Sequence, residues 1–213
     1  MHTDNLIRML ATGLEPVPPG VAQRRWSIAL ALSVPVAVLL MLLTLGLVPA
    51  LGTVAAQPMF WVKLGLPLAL LGASLRAAGR LARPGATLGY APLLIATPLV
   101  LIWALAAFTL HSTPSAARPT LLFGSTWTLC PLLIAWLSLP TFVAALWALR
   151  GLAPTRLRLA GASAGLLAGA VGALVYTLHC QELAAPFIAL WYVLGIWLPA
   201  GVGACLGPLL LRW

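Results

Sequence analysis

The chain reads as all-α: a polytopic membrane bundle of six transmembrane helices with both termini cytoplasmic. Three observations predict it. Past Trp26, six apolar stretches each reach the length of about twenty residues that crosses a bilayer. With 62% hydrophobic and 7% charged residues and a mean hydropathy of +1.05, a water-facing surface could not be built. A soluble domain carries roughly 25% charged residues. Finally, ten arginines fall before the first apolar stretch, after the last and at alternate connections between them, which orients them.

Residues 1–24 form the one segment that reads as soluble, a short amphipathic helix followed by a Pro-rich linker; residues 25–213 form the membrane domain. Thr3 or Asp4 can cap the helix, Leu6, Ile7, Leu10 and Leu14 share one face at helical spacing, and Gly13 is placed to end it. Glu15-Pro16-Val17-Pro18-Pro19-Gly20 then makes a stiff linker to the membrane. Helices that lie on lipid are usually rich in Lys and Arg. This one offers Arg8 against Asp4 and nearby Glu15, so a protein groove that takes its apolar face is the better partner.

Spans are predicted near 27–48, 58–81, 89–111, 125–149, 159–179 and 186–210. Arg8, Arg24, Arg25, Arg76, Arg80, Arg83, Arg150, Arg156, Arg158 and Arg212 then share one side, and only Lys63 and Arg118 fall on or toward the other. By the positive-inside rule the arginine side is cytoplasmic. Trp26, Trp147 and Trp213 mark that interface and Trp61, Trp127 and Trp191 the outer one. The formal net charge of +9 does not point to direct nucleic-acid binding, because the basic residues flank apolar spans rather than forming a patch. Gly161, Gly165 and Gly169, with Gly203 and Gly207, recur at fourfold spacing and let helix backbones approach closely. Such a face serves either a seam within one chain or a homo-oligomer.

Counting about 1.5 Å per residue from the arginines places Cys130 and Cys180 roughly 30 Å from the cytoplasmic edge, near the outer face. Cys205 lies about 10 Å from that edge by the same ruler and reads as a small buried packing residue. The Cys130 and Cys180 pair is open to three readings: a structural disulfide, since an outer compartment is oxidising; a soft-metal site with His179 or His111 as accessory ligands; and a thiol oxidoreductase, which lacks its C-x-x-C. Lys63, inside the second span, is a functional suspect by default. It can snorkel to headgroups, pair with Glu182, or act on a neighbouring thiol. No cofactor is required by any of these readings; a transient heavy-metal ion at Cys130 and Cys180 is the one candidate.

Two rival classes are weaker. A small inner-membrane transporter or exporter component would use Lys63, Glu182 and breaks at Pro67, Pro98, Pro140 and Pro199, but transporters carry polar groups near the membrane centre and the span middles here are Leu, Ala and Val. An enzyme is not expected, because no nucleophile, base and orienting residue recur at a useful spacing.

Several fragments, in order along the chain, resemble one family. They are Met1-His2-Thr3-Asp4-Asn5-Leu6-Ile7-Arg8, Pro58-Met59-Phe60-Trp61-Val62-Lys63, Cys130-Pro131, Leu152-Ala153-Pro154-Thr155, Tyr176-Thr177-Leu178-His179-Cys180 and Leu190-Trp191-Tyr192-Val193-Leu194-Gly195. Together they resemble the NrsF-type membrane anti-sigma factors, over essentially the whole chain. The resemblance implies a bacterial inner-membrane protein of six spans whose cytoplasmic N-terminus, through Asp4, Leu6, Ile7, Arg8, Leu10 and Leu14, holds an extracytoplasmic-function sigma factor inactive. It also implies that Cys130 and Cys180 take part in sensing heavy-metal or oxidant stress.

Overall fold

The computed structural model describes residues 3–12, 20–49, 51–83 and 85–212, and every regular element among them is helical. An N-terminal helix covers Thr3–Ala11. Six helices long and apolar enough to cross a membrane follow: Val21–Thr44, Pro58–Leu81, Ala91–Ser112, Cys130–Arg150, Leu157–Thr177 and Ala185–Leu210. Proline occupies the first or second position of the second, third, fourth and sixth, where its missing N–H costs no helical bond.

Two boundaries differ from expectation, and local chemistry explains both. The first span is shifted toward the N-terminus: it starts at Val21 and stops at Thr44, because Gly46 adopts φ 74° and returns its N–H to the Met41 carbonyl at 3.0 Å, a glycine C-terminal stop. Arg24 and Arg25 therefore ride on its first turns. The fourth span starts at Cys130 rather than near residue 125. Arg118–Phe123 forms a short helix of its own, Gly124 takes φ 51°, and a turn over the next residues separates the two.

Helical hydroxyls are largely satisfied within their own helices, so these segments need no water. Thr44 donates to Leu40 O at 2.6 Å, Thr97 to Leu93 O at 2.8 Å, Ser163 to Ala160 O at 2.8 Å and Thr177 to Ala173 O at 2.8 Å, the back-bonding open to Ser and Thr inside helices.

The fifth span is the pillar of the bundle. In its most apolar stretch 83% of residues are buried, against 11% in the third span. It packs on the second, fourth and sixth spans. Small residues allow this: a Cβ on Gly161 would run into the Gly203 carbonyl, on Gly165 into the Pro199 carbonyl and on Gly169 into the Ile196 carbonyl. The fourfold glycines thus form a seam inside the monomer, in which backbones rather than side chains meet.

Two apolar clusters mark the two ends. At one, Trp26, Leu81, Ala82, Leu149, Ala160 and Leu211 pack together, which gathers the arginines beside them. Trp26 is turned into the bundle there, 7% exposed, while Trp147 is exposed and its ring carries the Arg25 guanidinium at 5.3 Å. Arg80 donates to the Thr87 carbonyl at 2.6 Å and so closes the 83–89 connection. At the other end, Met41, Cys130, Tyr176, Cys180, Phe187 and Tyr192 belong to one cluster.

The seam generates a contrast between two glycines of similar sequence context. Gly165→Ala should destabilise by about 1–3 kcal/mol through overpacking against backbone, whereas Gly201, which has open space around it, should accept Ala within about 0.5 kcal/mol. Thermal unfolding in detergent and the amount of protein recovered from membranes would check both.

Candidate functional site

Cys130 opens the fourth span, with Pro131 behind it at the second position and its own N–H bonded to Thr126 O at 2.9 Å. Cys180 sits just past the fifth span. The N–H groups of Leu178, His179 and Cys180 turn back onto the carbonyls of Val175 and Tyr176 at 3.0–3.1 Å, so the thiol is held against the last helical turn. Both cysteines are buried free thiols. Tyr176 belongs to the same buried cluster as both.

Beside them lies Lys63, near the start of the second span and 0% exposed. Its Nζ donates to the Cys180 carbonyl at 2.7 Å and to the Glu182 carbonyl at 2.9 Å, and it stands 4.9 Å from the centre of the Tyr192 ring. A buried cation held this way is solvated by peptide dipoles and by a negative aromatic face. Two expectations are corrected. Lys63 does not snorkel outward, because these acceptors replace the headgroups; and it meets the main chain of Glu182, not the carboxylate.

That carboxylate is used elsewhere. Glu182 Oε1 accepts from the N–H and from the hydroxyl of Ser125, each at 2.7 Å. Gly124 is required next to it: its φ is 51°, and any Cβ would strike the carboxylate. Glu182 therefore pins the turn that leads into Cys130 to the loop that leaves Cys180.

The sixth span closes the group with a π turn over Ile188–Tyr192, a local irregularity often found at functional sites. Its Trp191 donates from Nε1 to Leu122 O at 2.8 Å and stacks with Trp127 at 5.0 Å between ring centres. Its Tyr192 supplies the ring under Lys63. Sequence reasoning missed Tyr176, Tyr192, Ser125 and Gly124. Two of them carried a signal: a buried lysine and a pair of thiols need acceptors and donors nearby, and Tyr176 and Tyr192 lie in the same short segments as Cys180 and Trp191.

The two histidines are placed differently. His179 packs its ring against Tyr176, 5.8 Å between ring centres, with Nδ1 3.1 Å from the Gly46 carbonyl, whereas His111 is exposed at the end of the third span. Among the described residues no group of three or more His, Cys, Asp or Glu side chains is gathered to hold a metal ion. The thiols thus offer two soft donors and no assembled third ligand, a set that suits soft ions rather than a closed zinc site. Cys205 is exposed, not buried as expected. It lies two positions from Gly203 and from Gly207, both in the seam, and so points away from it.

In the N-terminal helix Asp4 and Arg8 are exposed. Leu6, Ile7 and Met9 are 44%, 58% and 62% exposed, so its apolar face is uncovered. Met9 joins that face without having been singled out by spacing. Leu10 stands in the same helix, and Leu14 lies outside the described residues.

A family model described as negative regulator of sigma F, NrsF, matches residues 10–213. The chain is 50% identical over 213 residues to the probable anti-sigma-F factor NrsF of Azospira oryzae, with the whole of both chains covered. It is 41% identical over 220 residues to the anti-sigma-F factor NrsF of Caulobacter vibrioides, again across the whole of each. No solved structure matches the chain.

The Glu182 contact predicts a local effect. Glu182→Ala removes the acceptor for Ser125, so the 124–129 turn should open more often, and exchange of the Ser125 amide should accelerate about tenfold for a loss of about 1.4 kcal/mol. Hydrogen exchange read by mass spectrometry on the detergent-solubilised protein would check it, with the seam of the fifth span as the unchanged reference.

Proposed function

Because the chain belongs to the NrsF family of negative regulators of sigma F, we propose that it is a bacterial inner-membrane anti-sigma factor that holds an extracytoplasmic-function sigma factor through its N-terminal helix and releases it when heavy-metal or oxidant stress reaches Cys130 and Cys180. Both termini face the cytoplasm in this reading, which the clustering of the arginines at one end supports. The observation that carries it is the separation of two unlike devices. An uncovered apolar helix face stands in the N-terminal segment. A sealed pair of thiols stands at the end of the bundle opposite the arginines.

An amphipathic helix with an open apolar face binds by laying that face into a groove. Asp4 and Arg8, one turn apart, flank it and set its register in the partner. At the opposite end, the two thiols share one buried cluster with Tyr176, and in this reading one event involves both sulfurs, either their capture of a soft metal ion or their oxidation to a disulfide. Signal and output lie at opposite ends, so release requires the bundle to have two packings with different affinity for the sigma factor. The rival reading as a carrier finds no support in the placement of Lys63, which is sealed by protein rather than lining a path.

Two experiments test the halves separately. Leu6→Asp with Leu10→Asp should weaken capture of the sigma factor by about 3 kcal/mol, roughly a hundredfold, and switch on its regulon without stress. Full repression by an inserted double mutant would dismiss the helix as the binding element. For the thiols, Cys130→Ser, Cys180→Ser and the double mutant should share one loss of response, since two groups forming one site are not additive, while Cys205→Ala should respond normally. A regulon reporter challenged with cadmium or peroxide reads the outcome, and single mutants that respond as the wild type does would remove the thiols from the mechanism.

A further inference from the structure

We propose that Lys63 is the positioning residue of the thiol site: by tying the backbone at Cys180 and Glu182 to the second span, it holds the loop between the fifth and sixth spans down over both thiols and keeps them closed to reagents in the resting state. The inference rests on the reading of Cys130 and Cys180 as the reactive groups, and adds what guards them.

Three features of the geometry point to it. First, both acceptors of the Lys63 ammonium, the carbonyls of Cys180 and Glu182, belong to the loop that carries one of the thiols, and neither belongs to a helix. A bond to this loop does nothing for helix formation; it fixes where the loop sits. Second, the ammonium is fully buried and also faces the Tyr192 ring. Lifting the loop would strip a buried cation of its acceptors, which is costly in an apolar surrounding, so the tie resists opening more than an exposed contact could. Third, the tie reaches Cys130 as well. The residue whose carbonyl Lys63 holds is Glu182, and its carboxylate grips Ser125 in the turn that begins the approach to Cys130. One lysine in the second span thereby fixes the loop behind Cys180 and, through it, the turn ahead of Cys130.

An occupant larger than a proton at either sulfur needs room that the closed loop does not leave, since Cys130 is 0% and Cys180 4% exposed. The loop must move, and the bonds of Lys63 oppose the move together with the Glu182 grip on Ser125. This makes Lys63 a threshold element, not a ligand.

The test is the rate at which N-ethylmaleimide labels Cys180 in the full chain in membrane vesicles, resolved by mass spectrometry, with Cys205 in the same molecules as the reference for reagent delivery and overall packing. Loss of two charge-assisted hydrogen bonds in Lys63→Met should speed labelling of Cys180 by about tenfold or more and leave Cys205 unchanged. Lys63→Arg, which keeps the charge and the donors, should restore slow labelling. Labelling of Cys180 in Lys63→Met within about twofold of the wild type, or equally fast in the Met and Arg variants, would overturn the proposal. Should the Met variant not accumulate, Lys63→Gln is measured against the same limits. The labelling reads the position of the loop and involves no sigma factor or stress response. A protein that labels as expected but never releases its partner on stress would fail the sensing reading alone, whereas unchanged labelling would fail the positioning role alone.

Discussion

The backbone contact between the fifth and sixth spans is the constraint from which the rest of the architecture follows. Glycine at positions 161, 165 and 169 faces the carbonyls of Gly203, Pro199 and Ile196, so these two helices approach as closely as peptide planes allow. In hydrocarbon no difference in hydrophobicity draws helices together, and close van der Waals packing must do it. Once the pair is locked, the second and fourth spans pack on the fifth, and the ends of all four are placed. Cys180 and Tyr176 come at the end of the locked helix and Tyr192 near the start of its partner. The geometry around the thiols is inherited from a seam built of residues that have no side chain.

Charge is handled in the same spirit at both ends of the bundle. Lys63 in the second span meets the main chain of Glu182, yet the two charges are solvated by different protein groups: carbonyls and an aromatic ring for the cation, an amide and a hydroxyl for the anion. A direct ion pair would have left unused donors and acceptors in an apolar setting, and satisfying each charge with oriented dipoles avoids that cost. At the other end Arg80 bonds the Thr87 carbonyl and Arg25 covers Trp147. These cations, too, hold connections between helices rather than meeting carboxylates, of which the chain has few.

Much of this was legible in the residues. Span number, the gathering of arginines, and the shared level of Cys130 and Cys180 follow from counting apolar residues and helical rise, quantities that tertiary context hardly alters. Several of the fragments that carried the family resemblance, those holding Lys63, Cys130, Cys180 and Tyr192, sit where the structure does something specific. What could not be read was direction. Periodicity is weak in a helix that is apolar all round, so nothing in the sequence told that Trp26 faces inward or that Lys63 turns into the protein and not along the membrane normal, whereas the outward direction of Cys205 was implicit in its place between Gly203 and Gly207. The partners of Lys63 were hidden for a second reason: they are backbone carbonyls, which every residue possesses and no motif records. The start of the fourth span was misplaced because Trp127 and Leu129 lead into the apolar run and the short hydroxyl residues beside them are tolerated inside membrane helices, while the turn begins at a single glycine, Gly124.

The burial of Lys63 also bears on how the chain is assembled. Its acceptors lie 117 and 119 residues further along, so when the second span first enters the bilayer nothing exists to receive the ammonium. Its position near the end of that helix lets it reach the headgroup region in the meantime. The lysine can turn inward only after the fifth span and the loop beyond it have been made and docked. A chain that ends before that loop therefore leaves the ammonium without the acceptors it has in the finished protein, so burial of this one cation distinguishes a complete fold from an incomplete one.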